Sequence, residues 1–233
     1  MIKKILKNIW IFVKLGRFQK ITLHRLNMLQ LAFQYVKNEK VPGEYFEFGV
    51  ARGLTFAGAY QVSKKYNAPV SKFHAFDSFQ GFPELGEVDS EFERFKTGEE
   101  SWNLKEFNKT LKKASVPREK VEIYPGWFKD TLTVELQKNL RGENKKAAII
   151  WVDCDLYKSA KEVMNFIRPV LQNGTVVVFD DWYCYHADPN KGEQRALSEF
   201  LELHPEVDFI QYKKFGIVGN SFIVNIRDDE EKN

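Results

Sequence analysis

Apolar positions along the chain change period from block to block, and the period predicts the element. Residues 22–38 place Leu23, Leu26, Leu29, Leu31, Phe33 and Val36 at roughly helical spacing. Val41-Pro42-Gly43 breaks that helix. Five short apolar runs follow, at 44–50, 72–79, 120–126, 147–153 and 175–180, each of strand length. Between them the segments 53–66, 103–116, 127–140 and 158–171 predict helices. A last helix over 191–203 precedes two strands near 207–213 and 221–226. The polar stretch 80–102, punctuated by Gly81, Pro83, Gly86 and Gly98, predicts a loop or lid.

Strands alternate with helices from 44 to 180, and the central strands are continuously apolar, as strands covered on both faces should be. The pattern predicts an α/β fold: a doubly wound, mostly parallel, Rossmann-like sheet of about seven strands. An antiparallel C-terminal hairpin and N-terminal helices complete it. In such sheets ligands sit outside the carboxyl ends of the strands. Those ends are unusually acidic. Ile149-Ile150-Trp151-Val152 runs into Asp153 and Asp155, and Val176-Val177-Val178-Phe179 runs into Asp180 and Asp181. Glu47 and Asp77 end two earlier strands. The acids are therefore expected at the rim of a cleft.

Four carboxylates on adjacent strand ends repel one another unless protons or a cation intervene. An all-oxygen set suits a hard cation such as Mg²⁺. Four histidines and two cysteines, Cys154 and Cys184, make zinc a poor fit. The bland alternative is that Asp155 caps the next helix and Asp181 faces solvent. Gly49 and Gly53 flank the turn after the first strand, where glycine lets backbone approach a ligand. Their spacing is not the G-x-G-x-x-G of dinucleotide sites. Asp77 is placed to accept hydrogen bonds from ribose hydroxyls; capping a turn is its alternative role.

Charge changes the picture at one end. The total is +3, yet residues 1–38 hold eight Lys or Arg and no acid, leaving −5 for the rest. A near-neutral total gives no argument for nucleic acid as a partner. Drawn as a helix, residues 1–20 have a basic and an apolar face, which suits peripheral contact with an anionic membrane. Packing on the body or on a second subunit is the competing expectation. No apolar run approaches the roughly 20 residues of a membrane span, and the cysteines suggest no disulfide framework. A cytoplasmic protein is expected, with membrane association through its N-terminus as one of the two alternatives for that segment.

The stretches "FEFGVARGLT", "FHAFDSFQGFPE", "PGWFKDTL", "WVDCDLYKSA" and "VVVFDDWY" occur in this order. Together they resemble the macrocin O-methyltransferase-like (TylF/MycF-type) family over about residues 42–203. The resemblance implies a class I methyltransferase domain over 41–228, between a basic N-terminal segment (1–40) and a polar tail (229–233). It implies S-adenosylmethionine and Mg²⁺ as cofactors, a sugar-containing acceptor and a homo-oligomer. By the same resemblance Glu47, Gly49, Gly53 and Thr55 would hold the amino-acid end of S-adenosylmethionine. Asp77 would take the ribose, with Ser78 and Phe79 near the adenosine and Gly126 and Trp127 bordering the adenine. Asp153, Asp180 and Asp181 would hold the metal. Spacing does not decide between Asp153 and Asp155 as ligand; Asp153, first off the strand, is favoured. Asp153, Asp155 and His186 are the candidate bases. A methyltransferase for catechol-like diols, a nucleotide-sugar-dependent glycosyltransferase and a non-catalytic binding module are the rival expectations.

Overall fold

The computed structural model describes residues 23–92, 94–99 and 101–227. The amphipathic stretch 1–20 and the polar tail lie outside the described residues. Helix α1 (Leu23–Asn38) leads into strand β1 (Gly43–Phe48), helix α2 (Leu54–Tyr66) and strand β2 (Val70–Asp77). The short helix α3 (Glu87–Ser90) lies in the expected lid, followed by α4 (Leu104–Lys113) and β3 (Val121–Pro125). Then come α5 (Phe128–Thr131), α6 (Val134–Gly142), β4 (Ala147–Val152), α7 (Tyr157–Ile167) and β5 (Val176–Phe179). Helix α8 (Gly192–Leu203) and strands β6 (Val207–Gln211) and β7 (Asn220–Ile226) close the order. The single helix expected over 127–140 is two. The chain breaks at Leu132, and Thr133 restarts it by accepting the Leu136 N–H on its hydroxyl.

The seven strands form one sheet in the order β3-β2-β1-β4-β5-β7-β6. β1 to β5 are parallel; β7 runs antiparallel to β5, and β6 to β7. The order reverses direction between β1 and β4, so the cleft of a doubly wound sheet opens there.

Side chains alternate faces along each strand, and each face has its own core. Tyr45, Phe73, Ile149, Trp151 and Val178 face α1, α2 and α4. Phe46, Phe48, Phe76, Ile150, Val152 and Phe179 face α7 and α8. On this second face the rings form a ladder. Phe46 stacks on His74 (centroids 4.4 Å apart), Phe48 on Phe76 (4.7 Å) and Phe76 on Tyr124 (4.4 Å). Helix α1 buries Leu26, Met28, Leu29, Ala32, Phe33 and Val36 in the first core. The described part of the N-terminal segment therefore packs on the body. A small third cluster, Phe95, Leu156, Cys184 and Tyr185, lies beneath the lid with Phe82 and Phe92 against it. Among the described residues no helix is long and apolar enough to cross a membrane.

Candidate active site and cofactor cleft

Register explains why the acids converge. Phe48, Val152 and Phe179 are direct partners across β1, β4 and β5, so the next residues, Gly49, Asp153 and Asp180, emerge side by side. The Asp153 N–H donates to the Phe48 carbonyl and the Asp180 N–H to the Val152 carbonyl, both at 2.9 Å. Gly49 (φ 87°) is required there: a Cβ would lie 1.8 Å from the Asp153 carbonyl oxygen. Gly53 (φ 76°) caps α2, and a Cβ there would meet the Phe107 ring at 2.6 Å.

Asp77, at the end of β2, holds this turn. Its Oδ2 accepts the Val50 and Ala51 N–H groups, both at 2.8 Å, and its Oδ1 accepts the Phe79 N–H at 2.7 Å. Burial raises its pKa against those hydrogen bonds. A carboxylate offers about four lone-pair sites, so one remains for a ligand hydroxyl. Ser78 accepts the Gln80 N–H and donates to the Gly81 carbonyl, starting the lid. The Gly126 N–H donates to the Asp77 carbonyl at 2.9 Å, which sets Trp127 beside the turn.

These elements border one cavity of about 610 Å³. Of the residues singled out in the sequence, Gly49, Asp77, Ser78, Trp127, Asp153, Asp155 and Asp181 line it. Glu47, Gly53, Thr55, Phe79, Gly126 and Asp180 are not part of its wall. Phe79 packs against Phe107 (5.6 Å). Glu47 is fully buried, accepts the Tyr45 hydroxyl on one oxygen and has no partner on the other. Burial pushes its pKa well up. His186 is the exception among the candidate bases. It is exposed, lies edge-on to Phe92 at 5.4 Å and is not part of the cavity wall. The chain curls away after Cys184 through three left-handed residues, Tyr185, His186 and Ala187, and this turn carries the imidazole off the rim.

Asp153, Asp155 and Asp181 each bring an oxygen within 4.8 Å of the others. Asp155, the carboxylate set second to Asp153 in the sequence, is thus inside the cluster. Asp180 gives one oxygen to Arg25 and has no partner on the other. Asp181 accepts the Cys184 thiol on Oδ1 at 3.4 Å and has no partner on Oδ2. Burial and mutual repulsion push the pKa of Asp181 up to about 6 and those of Asp155 and Asp180 well above the ordinary value. Three carboxylate oxygens gathered this closely, beside the partnerless oxygens of Asp180 and Asp181, are chemically suited to a hard cation.

Three residues of the site escaped the sequence reading. Arg25, on α1, reaches Asp153 (Nη1–Oδ2 2.8 Å, Nη2–Oδ1 3.3 Å) and Asp180, and approaches the Thr55 hydroxyl at 3.5 Å. Burial opposes its charge, but the three acids Asp153, Asp180 and Asp181 raise its pKa. Its only signal was a basic residue beside the apolar stripe of α1. Glu193, at the start of α8, is buried and accepts the Asp181 N–H at 3.1 Å. Arg94 reaches in from the lid to the Cys184 sulfur at 3.3 Å; nothing in a polar loop marks such a residue.

A reversed-order parallel sheet, a glycine turn braced by an acid on the next strand, and an antiparallel closing hairpin together define a Rossmann-like methyltransferase fold. Solved structures agree. Calicheamicin methyltransferase CalS11 superposes with a TM-score of 0.69 at 21% identity, covering 85% of this chain and 77% of that one. The O-methyltransferase NovP gives 0.65 at 22%, covering 85% and 78%. The profile of the macrocin O-methyltransferase family matches residues 17–205, and the chain belongs to that family.

Two curated relatives are each 29% identical to it. One is the 8-demethyl-8-(2,3-dimethoxy-alpha-L-rhamnosyl)-tetracenomycin-C 4'-O-methyltransferase of Streptomyces olivaceus, matched over 70% of this chain. The other is the mycinamicin III 3''-O-methyltransferase of Micromonospora griseorubida, matched over 79%. The chain spans 61% and 70% of the length of those two enzymes.

Proposed function

We propose that the chain transfers the methyl group of S-adenosylmethionine to a sugar hydroxyl, with a Mg²⁺-type cation held in the acid cluster. The observation that carries this reading is the sharing of one cavity wall by the braced glycine turn and the acids. Both curated relatives are named as O-methyltransferases, and the name of the Streptomyces olivaceus enzyme includes a rhamnosyl group, which supports a sugar as acceptor.

The turn after β1 and Asp77 would bind the cofactor's amino-acid and ribose parts, with Trp127 at the adenine end. Asp153 and Asp181 would hold the cation together with Asp155 or the partnerless oxygen of Asp180. A cation so held lowers the pKa of an adjoining hydroxyl and offsets charge developing on its oxygen. Asp155, on the cavity wall with a raised pKa, is the base that would take the acceptor's proton. Phe82, Phe95 and Phe128 line the same cavity and would exclude water and orient the acceptor. Positioning of this sort supplies much of the rate enhancement of a two-reactant transfer.

Calorimetric titration of S-adenosylhomocysteine, with and without Mg²⁺, tests the reading. Saturable binding is expected in both conditions, together with a separate heat of Mg²⁺ binding that Asp153→Ala abolishes. Absence of S-adenosylhomocysteine binding would sink the transferase reading, and Mg²⁺ heat unchanged in the variant would sink the cation site.

A further inference from the structure

One buried carboxylate of the lid has no part in the chemistry above. Asp89, on α3, is fully buried. Its Oδ1 accepts the Tyr157 N–H at 2.8 Å and the Tyr185 hydroxyl at 2.7 Å; its Oδ2 accepts the Lys158 N–H at 3.2 Å. The donors come from two different segments. Tyr157 and Lys158 begin α7, directly after the run Asp153–Leu156. Tyr185 lies four residues beyond Asp181.

Both segments hold backbone that L-residues seldom adopt. Asp155 has φ 56°, and Tyr185, His186 and Ala187 have φ 57°, 57° and 60°. Such conformations persist where the surroundings over-determine them. Here the surroundings are largely the lid. Asp89 fixes the first turn of α7, so Asp155 is confined between the end of β4 and a pinned helix. Phe92 and Phe95 pack on the Tyr185 ring at 4.8 and 5.5 Å, and Arg94 supplies a second tether at Cys184. A simple helix cap would hold α7 alone. The Tyr185 bond adds the second acid-bearing loop to the same carboxylate.

We infer that Asp89 is a positioning residue that latches the lid onto both acid-bearing loops. It fixes Asp155 and Asp181 relative to each other and ties the wall formed by Phe82 and Phe95 to the geometry of the cluster. The part of the test that reads a cation rests on the proposed cation site; the part that reads backbone protection does not.

The test uses the full chain as wild type, Asp89→Ala, Asp89→Asn and Tyr185→Phe. MnCl₂ and S-adenosylhomocysteine are titrated separately by calorimetry, and amide hydrogen exchange is followed by mass spectrometry. Asp89→Ala should bind Mn²⁺ at least tenfold more weakly and S-adenosylhomocysteine within about threefold of wild type. Its amides at 156–160 and 183–189 should exchange at least tenfold faster, with β1 and β4 unchanged. Tyr185→Phe should speed 183–189 alone. Asp89→Asn keeps the volume but turns an N–H toward one of its donors; it should fall between, and it serves if the alanine variant does not fold. Exchange at 183–189 unchanged in both Asp89 variants overturns the latch. So does parallel loss of Mn²⁺ and S-adenosylhomocysteine binding, which would mark a general structural role, or undiminished Mn²⁺ affinity. A wild type that binds no Mn²⁺ would remove the cation site and leave hydrogen exchange to decide the latch.

Discussion

Arg25 Nη1 lies 2.8 Å from Asp153 Oδ2, across 128 residues of chain. The same guanidinium reaches Asp180, so the N-terminal helix supplies a positive charge to the cluster. Arg25 and Asp153 are partly exposed although Asp180 is buried, so the cost of removing the arginine falls at or below the roughly 3–5 kcal/mol of a fully buried pair. Arg25→Met should destabilise the protein in chelator by about 1–3 kcal/mol. It should also tighten Mn²⁺ binding several-fold, because a competing cation has gone. Denaturant melts with and without EDTA check the first claim and calorimetry the second. A variant that melts like wild type in EDTA would show that Arg25 is not the counter-ion.

The acid cluster gives a pH dependence of definite sign. Burial and neighbouring acids raise the Asp181 pKa from 3.8 to about 6. A carboxyl raised in the folded state stabilises the fold fully below its ordinary value, and that contribution is lost as pH rises through the folded value. Without divalent cation, the melting temperature should therefore fall between about pH 4 and pH 7. Saturating Mg²⁺ should flatten the slope, and Asp181→Asn should remove part of it. A chelated protein whose stability rises steadily over this window would contradict the protonated cluster.

Gly49 leaves no room for a side chain. With φ 87° and a virtual Cβ 1.8 Å from the Asp153 carbonyl oxygen, Gly49→Ala must part β1 from β4 at the rim. A loss of about 2–4 kcal/mol is expected from strain and displaced backbone. Thermal melting measures it. Gly98→Ala is a useful control, since nothing lies within 4 Å of its virtual Cβ, although its own positive φ carries a smaller cost.

Asp77 braces the turn and is also the proposed ribose-binding group. Asp77→Asn keeps one acceptor oxygen but cannot serve amides on both sides. Stability should drop by about 1–3 kcal/mol as buried N–H groups lose partners, and S-adenosylhomocysteine should bind at least tenfold more weakly. Mn²⁺ binding should change little, since Asp77 is not among the acids whose oxygens gather at the cluster. Cofactor affinity unchanged in this variant would assign Asp77 to the turn alone.

The layout of strands was readable because covered parallel strands are written as unbroken apolar runs. Ile149–Val152 and Val176–Phe179 show this directly, and their acidic ends located the rim. What was not readable came from contacts between distant segments. The Arg25 guanidinium was legible only as surface charge, since nothing local says that the first turn of α1 lies by the end of β4. The pairing of Asp89 with Tyr157, Lys158 and Tyr185 depends on how a 23-residue polar stretch folds back, and polar loops carry no period. His186 lies off the cavity wall for a local reason. Sequence distance from Asp181 suggested reach, but three left-handed residues turn the chain away. The break at Leu132 was masked by apolar residues that keep helical spacing straight across it, Phe128, Leu132 and Leu136.

The ring ladder on the α7–α8 face has a further consequence. Phe46, His74, Phe48, Phe76 and Tyr124 stack nearly parallel across β1, β2 and β3. A slip of one residue in any of these strands would send its rings to the opposite face of the sheet. The ladder thus works as a vernier. By fixing the lengthwise alignment of three strands deep in the sheet, it sets to a common level the Gly49 turn, Asp77 and Gly126 at the strand ends.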